Sequence, residues 1–339
     1  MSLNRKSFLK NVSIGSLALV PGINYAKKGS AVHPHIKPAM LRPGDTIGMI
    51  SPAGSLGDAQ KYNTVVKNIE HLGFNVRVGR HAKDTFGYFA GTDKNRATDF
   101  NTMFADDEID AILPFRGGWG SNRILDLIDF DLIKSNPKPL IGFSDITSLL
   151  MAIYAKTGLI TFHGPVGKSE WTEFTRSYFR QSLMQNELFS MPSDDQIGDV
   201  TTIQPGRASG ILMGGNLTVL TSMLGSDYLP SWQNGLLFLE DVGEDIYRID
   251  RMLTQLKLNG VFDQINGLIF GKCTNCEISN GAHFTLEQIL NHHLKEYEFP
   301  TFSGARIGHI KDMLTVPVGV HAKLDADKGL ITLTESPVK

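Results

Sequence analysis

The chain has 339 residues, 41% of them hydrophobic and 20% charged, with a formal net charge of −2. That balance is ordinary for a soluble globular protein, and the length favours two domains over one. Charges of both signs are dispersed, without a basic stripe for nucleic acid or a polyacidic tail, so the expected partner is a small molecule or a peptide.

The first predicted element is a leader. Arg5, Lys6 and Lys10 precede a short apolar segment from Val12 to Val20, then Pro21, Gly22 and the small residue Ala26. A basic start, a short apolar run and small residues after it predict a secretory signal peptide. The apolar run is well short of the roughly 20 residues that a membrane span needs. Asn4-Arg5-Lys6-Ser7-Phe8-Leu9-Lys10 is similar to a twin-arginine signal with lysine in place of the second arginine. Residues 1–37 are therefore expected to be signal peptide and polar leader, and the protein to be exported, most simply to a periplasm. A leader without signal function would leave it in the cytoplasm. The segment holds no cysteine, which excludes a lipidated anchor.

Beyond the leader, Thr46–Ile50 reads as a buried strand closed by Ser51-Pro52-Ala53-Gly54, with a helix to about Leu72 and Gly73 as its stop. A strand at Asn75–Val78, a helix from Asn95 to Phe104 and a strand at Ala111–Pro114 follow, leading into Arg116-Gly117-Gly118-Trp119-Gly120. Helical text covers Arg123–Ile128 and Leu132–Ser135, before the apolar run Pro139-Leu140-Ile141-Gly142-Phe143 that ends at Ser144. Short apolar strands alternating with amphipathic helices predict an α/β domain over 38–166 with a parallel sheet. From 167 to 205 the alternation fades into a helix around Trp171, Phe174, Tyr178 and Phe179 and a polar run at Asp194-Asp195, the expected linker.

A smaller α/β domain is expected over 206–339. It holds a strand at Gly210–Met213, Gly214-Gly215-Asn216 opening a helix, and a strand Gly235–Leu239 ending in Glu240-Asp241. A helix at Ile246–Leu258, a strand at Gly267–Phe270, a helix at Leu286–Tyr297 and a strand at Phe302–Ile307 come next, followed by Gly308-His309. Strands at Thr315–Val320 and Leu330–Leu333 close the chain. Cys273 and Cys276 are the only cysteines, and two thiols cannot complete a four-ligand zinc site. His283, His292 and His293 lie near without matching spacing. A disulfide and a redox pair both remain open for the two thiols, on a surface loop with no catalytic role. No metal and no cofactor are expected.

Ser144 stands where a strand hands over sharply to a helix, a corner that aims a hydroxyl away from the sheet. The plainer reading of Gly-x-Ser-Asp is a helix cap, because Ser and Asp both accept from free N–H groups. Active groups in open parallel sheets collect at such strand ends. Two others carry Arg116-Gly117-Gly118 and Glu240, and His309 follows a further one. A serine nucleophile needs a base within reach and an acid to orient that base, which Ser144, His309 and Glu240 could supply. His33, His35, His163 and His321 compete as the base. The Arg-Gly-Gly loop is neither Gly-x-Gly-x-x-Gly nor a P-loop, so donors for an oxyanion or a carboxylate suit it better than a phosphate site.

Together, RGGWGSNR from Arg116, PLIGFSDIT from Pro139, MGGNL from Met213, LEDVGEDIYRIDRML from Leu239 and Gly308-His309 resemble the LD-carboxypeptidase family of serine peptidases. That family includes murein tetrapeptide carboxypeptidase and the microcin C self-immunity peptidase, and the resemblance spans about residues 40 to 335. It implies a flavodoxin-like N-terminal domain and a smaller α/β C-terminal domain, with the active site between them, in a homodimer. It implies Ser144 as nucleophile, Glu240 as acid and His309 as base. Backbone N–H groups of Gly117 or Gly118 and of Asp145 would form the oxyanion hole. Arg116, Trp119 and Asn216 are candidate substrate contacts, Arg116 serving equally well as a loop anchor. The implied reaction hydrolyses the amide that joins a terminal D-alanine to murein tetrapeptide. Two alternatives stand beside it: a microcin-type peptidase acting on peptidyl or aminoacyl nucleotides, with Trp119 or Trp171 stacking on a base, and a non-catalytic exported two-lobed binding protein. An α/β-hydrolase is set aside because its elbow ends in glycine where Ile146 stands.

Overall fold

The computed structural model describes residues 35–192, 200–276 and 284–339. The leader expected over 1–37 lies outside the described residues up to residue 34, as do His33, Asp194, Asp195 and His283. The described residues all fall within one compact unit. Among the described residues no helix is long and apolar enough to cross a membrane.

The first half runs β1 (Thr46–Ile50), α1 (Ala59–His71), β2 (Asn75–Val78), α2 (Asp93–Ala105), β3 (Ala111–Pro114), α3 (Phe130–Ser135), β4 (Ile141–Gly142), α4 (Thr147–Thr157) and β5 (Thr161–His163). α1 forms because Asp58 caps it, accepting from the Gln60 N–H at 2.8 Å, while Tyr62, Val65 and Ile69 recur on one buried face. β2, β1 and β3 pair in parallel, and a parallel bridge from Ile112 to Leu140 carries the pairing on to β4 and β5. The order 2-1-3-4-5 is the flavodoxin-like one, which places ligands beyond the carboxyl ends of the strands. The segment expected as helix over Arg123–Ile128 is a tighter 3-10 stretch, Ser121–Leu127.

The second half runs α5 (Glu173–Leu183), β6 (Ser190–Pro192), β7 (Thr201–Gln204), β8 (Arg207–Asn216), α6 (Leu217–Ser222), β9 (Gly235–Val242), α7 (Ile246–Leu258), β10 (Ile265–Thr274), α8 (Leu286–Leu294), β11 (Thr301–Ser303), β12 (Val316–Val318), β13 (His321–Asp325) and β14 (Leu330–Leu333). Eight of these strands form a mixed sheet in the order β6-β14-β13-β8-β9-β10-β11-β7. Its centre, β8 to β11, is parallel, and seven of the eight residues of β9 are buried, as a strand covered on both faces requires.

The described residues of the expected linker, 167–192 and 200–205, are built into the fold. Phe179 and Leu183 of α5 and Met191 of β6 are core residues, and β6 and β7 take the two opposite edges of the large sheet. β12 in turn leaves the second half and pairs antiparallel with β5, closing the edge of the first sheet. One apolar cluster runs through both sheets, holding Met49 and Phe162 together with Leu237, Leu239 and Phe270. The carboxyl ends of β1, β3 and β4 and those of β8 and β9 thereby share one continuous core beneath them.

Candidate active site

β4 ends at Gly142, and the chain turns at Ser144 with φ at 62°. A serine in the left-handed region costs about 1–3 kcal/mol and persists only where its surroundings impose it. The cap reading does not account for this corner. The Asp145 carboxylate accepts from the Ser121 N–H at 2.7 Å, and Thr147 Oγ1 accepts from the Asn216 N–H at 3.0 Å. Neither of these side chains is spent capping α4, whose N-terminus carries no side-chain cap bond. The turn instead leaves Ser144 lining a cavity of about 380 Å³ with Gly118, Trp119, Asp145, Asn216 and Asp241.

The Arg-Gly-Gly loop runs directly over the serine. A Cβ at Gly117 would stand 2.9 Å from Ser144 Cβ and 3.1 Å from its Oγ, so only glycine lets this backbone come so close. Arg96, fully buried, fixes the loop from behind: its guanidinium donates to the Gly120 carbonyl at 2.9 Å and to the Pro52 carbonyl. Burial, offset by the Ser121 and Gly120 N–H groups and by Arg96, pushes the Asp145 carboxyl above its usual range. Arg116, expected either at a substrate carboxylate or as an anchor, donates to the carbonyls of Gly117 at 3.1 Å and Ser55 at 3.2 Å. Those are the contacts of an anchor.

The paired carboxylate and imidazole come from the second half, Glu240 on β9 of the large sheet and His309 in the loop between β11 and β12. Glu240, near the end of β9, is fully buried, and its Oε2 lies 2.8 Å from His309 Nδ1. That bond commits Nδ1 to the carboxylate and leaves Nε2 for a hydroxyl. The His309 ring packs against Phe143, the residue before Ser144, with centroids 4.7 Å apart. Register places Asn216 beside Glu240, and its Nδ2 donates to Glu240 Oε1 at 3.2 Å and to Asp241 Oδ1 at 3.1 Å. Asn216 borders the cavity, yet its amide is engaged with the acid, and its Oδ1 accepts from the Val219 N–H at 3.1 Å. A buried carboxylate needs its lone pairs filled, which explains an asparagine here better than substrate contact alone.

Gly308 has φ at 124°, and a Cβ there would stand 2.8 Å from Glu240 Oε2. Gly308→Ala is expected to displace the carboxylate and lower kcat about 10²-fold, the usual cost of a misplaced catalytic group. Steady-state kinetics beside a melting curve would check it: a kcat within twofold of wild type would contradict the tight packing.

Of the competing histidines, His35 and His321 gather with Glu335 in a separate cluster. His163 is fully buried between Phe143 and Phe238, and neither ring nitrogen has a hydrogen-bond partner among the described residues. Burial pushes its imidazole down to about 4, against the pull of Glu240 and with the push of His309. Burial pushes Asp241 the other way, up to about 6, against hydrogen bonds from Val242, Thr218 and Asn216. The neutral His163 contributes stability that is present above its unfolded value near 6.5 and is lost as pH falls towards 4. The protonated Asp241 contributes in the opposite sense, fully present below its unfolded 3.8 and lost as pH rises through about 6. His163→Phe removes the first slope alone. Its stability relative to wild type should shift in the variant's favour by about 3 kcal/mol between pH 7 and pH 4, read from urea midpoints; a pH-independent difference would contradict a buried neutral imidazole.

Asp241 and Thr147 fall within motifs legible in the sequence, whereas Thr218, just past Leu217, falls in none. Thr218 donates to Asp241 Oδ2 through its hydroxyl at 2.8 Å and its N–H at 3.0 Å. The doubled acid Glu240-Asp241 at a strand end was the available signal. Cys273 and Cys276 form a disulfide at the end of β10, where Cys273 pairs with Asp241 across the sheet. The surface-loop reading thus holds only beyond the strand.

A hydroxyl at a strained corner, an imidazole paired with a buried carboxylate and a glycine-rich backbone loop are the kinds of group that acyl-transfer chemistry uses. Residues 47–164 match the LD-carboxypeptidase N-terminal domain and residues 209–324 the LD-carboxypeptidase C-terminal domain. The probable murein peptide carboxypeptidase of Bacillus subtilis is 38% identical over 295 residues, covering 85% of this chain and 91% of that protein. The microcin C7 self-immunity protein MccF of Escherichia coli is 34% identical over 329 residues, covering 88% and 95%. The solved structure of MccF in complex with glutamyl sulfamoyl guanosine superposes with a TM-score of 0.82 at 31% identity, covering 89% of this chain and 99% of that one.

Proposed function

The chain belongs to the LD-carboxypeptidase family of peptidases, and on that premise we propose a serine LD-carboxypeptidase that releases the terminal D-alanine from murein tetrapeptide. The observation that carries the reading is the meeting of the Glu240–His309 pair with the strained Ser144 corner across Phe143. In this reaction His309 Nε2 takes the proton of Ser144 as Oγ attacks the scissile carbonyl. The oxyanion is held by N–H groups of the Gly117-Gly118 backbone and of Asp145. His309 then protonates the nitrogen of the departing D-alanine, and water, activated by the same ring, releases the shortened peptide. Glu240 keeps the imidazole in one tautomer, and Asn216 keeps Glu240 in place.

The cavity wall supports the choice of substrate. Asp241 and Glu244 line it together with Gly118 and Trp119. Carboxylates there favour a substrate carrying a free ammonium group, such as the diamino acid of a stem peptide, and oppose a phosphate or sulfamate. The second reading is the peptidyl-nucleotide peptidase, supported by the likeness to MccF with a bound aminoacyl sulfamoyl nucleoside. Export through the Arg5–Lys10 leader and assembly as a homodimer belong to the first reading and rest on the sequence alone.

The test is a competition between a tetrapeptide ending in D-alanine, the same peptide ending in L-alanine, and a peptidyl-adenylate analogue, followed by mass spectrometry. Turnover confined to the D-alanine peptide is expected. Preferential cleavage of the adenylate analogue would replace the first reading with the second.

A further inference from the structure

Away from the cavity, three segments distant in sequence bring two imidazoles and a carboxylate together. His35 precedes β1, His321 opens β13, and Glu335 follows β14. One donor atom from each lies within 4.8 Å of the other two, and among the described residues no other group of three such side chains does so. We propose that His35, His321 and Glu335 form a binding site for one Zn²⁺ ion, separate from the catalytic residues.

The donor set selects the ion class. Two imidazoles and one carboxylate suit Zn²⁺ and its transition-metal neighbours, whereas Ca²⁺ and Mg²⁺ take oxygen donors. Bonds of about 2.0–2.2 Å to a tetrahedral ion set ligand atoms roughly 3.3 Å apart. The cluster therefore needs to contract by only about 1.5 Å, within reach of side-chain rotation.

The surroundings already hold two of the three ligands. Glu335 Oε1 accepts from the His321 N–H at 3.0 Å, and Oε2 pairs with Lys37 Nζ at 3.0 Å. An ionised carboxylate offers about four acceptor sites, so both oxygens keep a lone pair for an ion. The Tyr154 hydroxyl lies 3.4 Å from His35 Nε2 and orients that ring, and the two imidazoles stack with centroids 5.8 Å apart. A ring held at one nitrogen presents the other to a metal in a fixed direction. His321 is exposed, which leaves an entry path and room for water at the remaining position. Lys37 is the competing cation, and it yields or turns outward when the ion enters.

Such an ion would tie the segment before β1 to the β13–β14 hairpin. Its effect would fall on stability, with turnover at Ser144 unchanged.

The test titrates ZnCl2 into the full-length, chelator-stripped chain by calorimetry. One Zn²⁺ per chain is expected, with a melting temperature raised by roughly 5 °C at a hundredfold excess over the dissociation constant. Binding should be lost in His321→Ala and weakened at least about tenfold in Glu335→Gln. Glu335→Gln keeps an acceptor for the His321 N–H, so an unchanged metal-free melting temperature separates a lost ligand from a lost fold. Absence of saturable binding, or an unchanged isotherm in His321→Ala, would overturn the site.

Discussion

Ser144→Ala is expected to lower kcat for D-alanine release by about 10⁶-fold while leaving the fold intact, the loss seen when the nucleophile of a catalytic triad is removed. The substitution deletes one oxygen that faces the cavity, so no buried partner is stranded. Alanine pays a similar penalty for φ at 62°, and the melting temperature should therefore hardly move. What survives is binding and the backbone amides of the Gly117-Gly118 loop, which can still polarise a carbonyl for attack by water. Retained turnover within tenfold of wild type would remove Ser144 from the chemistry and return the corner to a structural role. Stopped assays on purified tetrapeptide give the answer directly.

Glu240→Gln is expected to cost about 10⁴ in kcat with little change in KM, by the precedent of an amide replacing the acid of a triad. The carboxylate accepts from His309 Nδ1 at 2.8 Å and from Asn216 Nδ2 at 3.2 Å. A glutamine can satisfy one of these as an acceptor and must then turn an NH2 towards the other. Either His309 loses its tautomer or Asn216 faces a donor, and both outcomes misdirect Nε2. Because Glu240 is fully buried, the mispaired amide is also expected to destabilise the fold by about 1–3 kcal/mol. The kinetic effect is far larger than the structural one, since four decades of rate correspond to about 5.4 kcal/mol. A loss confined to stability, with kcat within tenfold of wild type, would make Glu240 a structural partner.

The strand ends that hold Ser144 and Glu240 were legible in the chain because each is announced locally. β1, β2 and β3 fall where their apolar runs stop at a turn residue, and α7 follows its amphipathic period over Ile246–Leu258. Ser144 is marked by a break from β4 into helix, and Glu240 by a buried strand ending in two acids. The parts that were not legible depend on distant pairing. β6 and β7 are short strands that exist only because the edges of the large sheet receive them, and nothing in their own text separates them from a linker. β12 joins β5 across nearly half of the chain, a pairing no local period encodes.

The same division runs through the site. The glycines at 117 and 308 stand in motifs legible in the sequence, yet what they approach, Ser144 and Glu240, appears only in the fold. Asn216 was expected at the substrate, and it borders the cavity, but its amide is held on Glu240 and Asp241 because the β8–β9 register sets it there. Thr147 ties the helix after the nucleophile to the Asn216 backbone, a contact between residues 69 positions apart. His163 was one histidine among several, and only its burial between Phe143 and Phe238 distinguishes it.

The most direct measurement of whether a serine hydroxyl activated by His309 lies at the centre of this site is active-site phosphonylation. The chain is incubated with a fluorophosphonate, digested and read by peptide mass. A single adduct on the Ser144 peptide is expected, absent in Ser144→Ala and formed much more slowly in His309→Ala. An adduct on another serine, or a Ser144 adduct forming at the same rate without His309, would contradict it.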